Sequence, residues 1–63
     1  MFVKIKGSYS MSLHSPRDYL VNTDSIKLVD LNKHWIFLYG DTVALEVEEG
    51  FDALVTALKK GSN

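Results

Sequence analysis

The first thirteen residues alternate. Odd positions read Met1, Val3, Ile5, Gly7, Tyr9, Met11 and Leu13, and even positions read Phe2, Lys4, Lys6, Ser8, Ser10 and Ser12. A period of two marks a strand with one face buried, so the pattern predicts one long strand with Gly7-Ser8 as the site of a bulge or bend. A hairpin turn at the same step would leave little strand on either side. Ser15-Pro16-Arg17-Asp18 reads as a turn, because proline presets its own φ and pushes the residue before it out of the helical region. A short extended piece, Tyr19 to Asn22, then leads into Asn22-Thr23-Asp24-Ser25, side chains that hydrogen-bond their own backbone and favour turns. Ile26 to Leu31 follows as a strand, and Asn32-Lys33-His34 as a polar break.

Trp35 to Tyr39 and Thr42 to Val47 are two apolar runs joined by Gly40-Asp41, the arrangement of a hairpin with a two-residue type II′ turn. That turn sets a register: Leu38 opposite Val43 and Ile36 opposite Leu45 on one face, Phe37 opposite Ala44 and Tyr39 opposite Thr42 on the other. Phe51, Leu54, Val55 and Leu58 then recur at helical spacing, with Glu48, Glu49 and Asp52 ahead of them and Lys59 and Lys60 behind. Charges so placed complement a helix dipole. They predict a helix from about Glu49 to Lys60, its stripe packed on the face of Ile36, Leu38, Val43 and Leu45, with residues 61–63 as a frayed end. The fold class expected is α+β: one domain, a small antiparallel β-sheet of about four strands with one C-terminal α-helix packed on one face.

Length and composition then narrow the picture. A chain of 63 residues buries only about 60% of the surface its unfolded form exposes. Domains this small usually add disulfides, a metal or oligomerisation to a thin core. Cysteine is absent and there are two histidines, so disulfides are excluded. The carboxylates lack the loop spacing of a calcium site, and neither a metal nor a cofactor is expected. Self-association is the remaining staple. Seven Lys and Arg against eight Asp and Glu leave a net charge of −1, too weak a field to steer nucleic acid or an anionic membrane. No basic segment precedes an apolar run, and no apolar stretch approaches the ~20 residues of a membrane helix. The lack of cysteine fits a reducing compartment, so the expected location is cytoplasmic, with no membrane partner.

The hairpin register has a consequence for binding. If the helix covers Ile36 and Leu38, the opposite face carries Trp35, Phe37 and Tyr39 in a row, and each large aromatic presents ~150–250 Å². Three readings stand: the N-terminal strand folds over the stripe with Tyr9, Met11 and Leu13, a second copy of the chain buries it, or it is a surface for another partner. Chemistry is scarce by comparison. Histidine is the side-chain type suited to acid-base work near neutral pH and the chain has two, His14 and His34, but a histidine at a strand end is ordinarily solvated or hydrogen-bonded. The run His14-Ser15-Pro16-Arg17-Asp18 holds the residue types of a hydrolytic triad without the convergence from separate elements that a triad needs. A domain this small also has little room for a substrate cavity of ~300–1,000 Å³. Glu46, Glu48, Glu49 and Asp52 are accounted for by the start of a helix, and no phosphate-binding loop is present. No enzymatic activity is expected.

From Tyr19 onward, Asn22 followed four residues later by Ile26, then Ile36, Leu38 and Gly40, then Val47 and Glu49, make a pattern that resembles the small bacterial FlbD-type flagellar and swarming motility proteins. Tyr39-Gly40-Asp41 stands where that family carries an Asn-Gly turn. The resemblance covers about two-thirds of the chain and implies an architecture, a strand pair followed by a short helix. The expectation is a non-enzymatic protein-binding or regulatory accessory protein of bacterial or phage type. It would act as a homo-oligomer and on an unidentified protein partner, through strand edges and a surface of Trp35, Phe37, Tyr39, Tyr9 and Met11. The alternative is a nucleic-acid or nucleotide-binding module that stacks bases on the sheet aromatics, with Lys4, Lys6, Lys27 and Lys33 gathered on one edge.

Overall fold

In the computed structural model, which describes residues 1–61, five strands and one helix form a single layered domain. The strands are β1 (Phe2–Tyr9), β2 (Arg17–Asn22), β3 (Ile26–Asp30), β4 (Trp35–Leu38) and β5 (Leu45–Glu49), followed by α1 (Phe51–Gly61). They make one sheet in the order β2-β1-β5-β4-β3, with every neighbouring pair antiparallel. β1 serves two ladders. Its residues 2–7 pair with β2 and its residues 6–9 with β5, and the register shifts between Lys6 and Gly7. The bulge expected near Gly7-Ser8 is therefore present, and it lets one strand bend from one partner to the next.

The two ends of the sheet, β2 and β3, are consecutive in the chain and separated only by a 3-10 turn at Thr23–Ser25. The sheet must curl for its ends to be joined by so short a link. Asn22 caps the turn by accepting from the Asp24 amide at 3.1 Å. The Thr23 amide donates to Met1 and the Tyr39 amide to Ser25, at 2.8 and 2.9 Å, stitching the turn to the start of β1 and the end of β4. Inside the curl lie Ile5, Val21, Ile36, Leu45 and Val47, closed over by Phe51 and Leu54 of α1. Burying each large aliphatic side chain contributes about 1.5–3 kcal/mol, and alternation brings every second residue of each strand to this face.

The α+β class and the small antiparallel sheet of about four strands agree with the five found, and the piece read as short and extended, Tyr19 to Asn22, belongs to a strand that starts at Arg17 and pairs along its length with β1. Several other expectations need correction. β1 ends at Tyr9, and residues 10–16 leave the sheet. A turn in which the Ser12 amide donates to Tyr9 (2.9 Å) diverts the chain, so Met11 and Leu13 sit in a loop and Leu13 is fully exposed. Of the register expected for the central hairpin, Ile36 opposite Leu45 is present, next to Trp35 opposite Glu46; the pairs Leu38 with Val43, Phe37 with Ala44 and Tyr39 with Thr42 do not form, and neither does the two-residue turn. β4 stops at Leu38 and residues 39–44 form a loop, in which Asp41 donates to Leu38 and Gly40 has φ +89°. That is the conformation asked of the third residue of a type II turn. Ala44 is drawn to β1 instead, accepting from the Ser10 amide at 2.9 Å.

The helix starts at Phe51 rather than Glu49, so Glu48 and Glu49 belong to β5 and Asp52 alone is acidic in the first turn. Gly50 causes the break: its φ is +89°, and a Cβ there would stand 2.8 Å from the Lys4 carbonyl oxygen. The deeply buried helix face is Phe51, Leu54 and Ala57, with Val55 and Leu58 at its margin. Ile36 and Leu45 share the core with this face and Leu38 borders it, whereas Val43 lies in the 39–44 loop, half-buried and outside the core cluster. Gly61 closes α1; the rest of the expected frayed end, Ser62 and Asn63, lies outside the described residues.

Candidate functional site

The surface that remains is the convex side of the sheet, and strand parity assigns it. Ile36 faces the core, so Trp35 and Phe37 point the other way, and neither belongs to the core or its border. Their cross-strand neighbours share that face: Asp30 and Glu46 flank Trp35, and Leu28 lies beside Phe37. Trp35 and Phe37 are half-buried. The Lys33 ammonium sits 4.6 Å from the centroid of the indole, a cation–π contact that covers part of the ring.

The five residues expected to form one surface are not assembled as one. Tyr39 leaves the strand for the loop after β4 and is exposed. Met11 is exposed in the loop after β1. Tyr9 faces inward, bordering the core and meeting Tyr19 edge to face at 6.1 Å between ring centroids. The N-terminal strand does not fold over the stripe, because β1 lies in the same sheet with its apolar side turned to the core. Tyr9 donates through its hydroxyl to Asp41 Oδ2 at 3.0 Å, tying the 39–44 loop to the end of β1. Partial burial raises its pKa above 10.0, and the hydrogen bond to Asp41 with that carboxylate's charge adds to the rise.

The four lysines are also dispersed. Lys4 and Lys6 lie on β1, an inner strand, while Lys27 is on β3 at the far end of the sheet and Lys33 is in the turn before β4. Lys6 stands opposite Asp18 and within 3.9 Å of Glu49. No edge gathers them. With Asp30 and Glu46 beside Trp35, the convex face alternates in sign and offers phosphates no continuous basic track.

The histidines have structural surroundings. His14 is exposed, its amide donating to Ser12 Oγ at 3.1 Å. His34 adopts φ 61° and stacks on Phe51 at 4.2 Å and 11°. In the turn before it, Asp30 Oδ1 accepts from the amides of Asn32 and Lys33 at 2.9 and 3.1 Å. Among the described residues, no group of three or more His, Asp and Glu is placed to hold a metal ion, and no helix is long and apolar enough to cross a membrane.

One feature escaped sequence reasoning, the strand edge at β2. Tyr19 and Val21 point inward there, leaving Asp18, Leu20 and Asn22 on the convex face. Leu20 is 67% exposed, and Phe2, diagonal to it on β1, is 61% exposed. The signal was available in the apolar alternation of Tyr19 and Val21, hidden by the shortness of the run. A recess of about 300 Å³ runs along this edge toward Ser25 and Leu38. No family model matches the chain, and no curated protein or solved structure matches it.

Proposed function

We propose that the chain is a small protein-binding accessory domain without catalytic activity, that it works as a homo-oligomer, and that it operates in the cytoplasm. One observation carries this reading. Large apolar side chains remain on the outside of a domain with few residues to spare: Phe2, Leu20, Leu28, Leu31 and Tyr39 are all more than half exposed. Leu20 and Leu28 lie on the two open strands, Phe2 on β1 diagonal to Leu20, and Leu31 and Tyr39 in the turns before and after β4; unpaired strand edges and exposed apolar side chains are the features associated with contact surfaces. Covering what remains exposed of each would contribute part of the ~1.5–3 kcal/mol that complete burial of a large apolar side chain gives.

The reading is tested by light scattering at high micromolar concentration. The expected mass is a multiple of the 7.1 kDa chain; a clean monomer across that range removes the oligomer. The alternative, a nucleic-acid or nucleotide module, has weaker support. Trp35 with Lys33 over it suits a stacked base, but the carboxylates on either side of that ring oppose phosphate. It would show as quenching of Trp35 fluorescence by an oligonucleotide or nucleotide at low salt.

A further inference from the structure

We propose that β2 is the self-association edge, pairing antiparallel with the β2 of a second copy about a two-fold axis at Leu20. The proposal rests on the self-associating reading above and adds to it an edge, a register and a set of hydrogen bonds.

The register follows from the β1–β2 ladder. In an antiparallel pair, residues that exchange hydrogen bonds alternate with residues that do not. The Thr23 amide donates to the Met1 carbonyl at 2.8 Å, which marks Met1 and Thr23 as a bonded pair. Stepping two residues at a time along the observed pairing, Val3 with Val21, Ile5 with Tyr19 and Gly7 with Arg17 are bonded pairs as well. The backbone groups of Arg17, Tyr19 and Val21 are therefore spent on β1. Those of Asp18, Leu20 and Asn22 point away from it, along an edge that no strand among the described residues covers.

Only residues with outward-pointing groups can exchange bonds across a new pair, and both copies must turn their apolar sides to the same face. A two-fold axis at Leu20 meets both conditions. It sets Leu20 against its own copy, Asp18 against Asn22, and, between them on the inner side, Tyr19 against Val21. Sliding by one step to centre on Tyr19 would place Asp18 against Leu20 and Arg17 against Val21, charge against apolar side chain at each pair. Centring on Leu20 also brings Phe2, diagonal to Leu20, to the border of the new pair. Two leucines and two phenylalanines then form one patch across the axis.

The other open strand is defended. β3 carries a register shift between Ile26 and Leu28, with Lys27 at the irregular step, and bulges and edge lysines are the devices that block strand addition. β2 has an unbroken register and no lysine or proline between Arg17 and Asn22. So short a pairing buries less than the ~1,200 Å² of a standard interface, so the dimer is weak and dissociates on dilution.

A chain without cysteine allows a direct test. Leu20→Cys is compared with Leu28→Cys, similarly exposed on β3, at high micromolar concentration under mild oxidation. Bonded pairs bring Cα atoms to about 5.5 Å, within disulfide range, so Leu20→Cys is expected to form a covalent dimer and Leu28→Cys to stay monomeric. In the wild type, the amides of Asp18, Leu20 and Asn22 should gain protection from hydrogen exchange as concentration rises, and Leu20→Lys should weaken dimerisation at least tenfold. Oligomers by light scattering, with cross-linking at Leu28 or no added protection in β2, would overturn the edge assignment and leave self-association standing. A monomer at every concentration would overturn both.

Discussion

Gly7 is the position where one added carbon should do most damage. It stands at the bulge where β1 passes from β2 to β5, opposite Val47, and it is buried. A Cβ placed on it would overlap the backbone carbonyl oxygen of Glu46 and stand 3.1 Å from that carbonyl carbon and 3.2 Å from Val47 Cα. All three atoms are main chain, so no rotamer change relieves the contact. Either β1 and β5 separate or the bulge is lost. Overpacking that forces backbone shifts costs about 1–3 kcal/mol, occasionally more. A domain of this size has roughly 3–9 kcal/mol in total, at about 0.05–0.15 kcal/mol per residue. Gly7→Ala should therefore cost about 1–3 kcal/mol out of that small total. Urea unfolding followed by far-UV circular dichroism measures it, with Gly40→Ala as the comparison. Gly40 shares the demand for positive φ with Gly50, but among the described residues nothing lies within 4 Å of its Cβ position, so its cost should be backbone strain alone, about 1–2 kcal/mol. A Gly7→Ala protein within 0.5 kcal/mol of wild type would refute the close β1–β5 approach, and with it the bulge that bends the sheet.

Two further variants report on the tethers between loops and core. Tyr9→Phe removes the hydroxyl bond to Asp41 and should cost about 0.5–1 kcal/mol, the low end for a hydrogen bond because this one is exposed. The folded-state pKa of Tyr9 lies above its unfolded value of 10.0, so the folded form holds the proton longer. Its contribution is complete below pH 10 and is lost as pH climbs through the folded value; Tyr9→Phe should flatten that alkaline decline, and an unchanged slope would exclude Tyr9 as its source. His34→Ala loses the stack on Phe51, worth about 0.5–1.5 kcal/mol, and leaves a non-glycine residue at φ 61°. His34→Gly loses the same stack without the backbone penalty and should be the more stable of the two by about 1 kcal/mol. Equal melting temperatures would show that the strain is not real.

Much of this fold was legible because period and punctuation agree. The β1 alternation, the Asn22–Ser25 turn, the facing of Ile36 and Leu45 and the existence of α1 all follow from local chemistry. What failed did so at places where a distant contact overrides a local preference. Gly40-Asp41 has the composition of a tight hairpin, yet β1 captures Ala44 through Ser10 and opens the loop. Glu48 and Glu49 look like the first turn of a helix, yet β1 needs β5 to run as far as Glu49. The candidate surface was the least legible part. Parity along β4 placed Trp35 and Phe37 on the convex side, but the positions of Tyr9, Met11 and the four lysines depend on strand order, which no local pattern carries.

Strand order also separates what holds the domain together from what it can offer a partner. The core draws on Tyr19 and Val21 of β2 and on Ile36 and Leu38 of β4, and the alternate residues of the same strands, Leu20, Trp35 and Phe37, contribute little to it. A substitution on the convex side should therefore alter association while leaving unfolding nearly unchanged, since surface changes away from special backbone sites usually stay within about 0.5 kcal/mol. The same change one residue along the strand should act the other way, because truncating a buried aliphatic costs about 2–5 kcal/mol. In a protein with so little stability in reserve, adjacent residues thus answer different questions. Leu20→Lys set beside Val21→Ala distinguishes a lost contact from a lost fold.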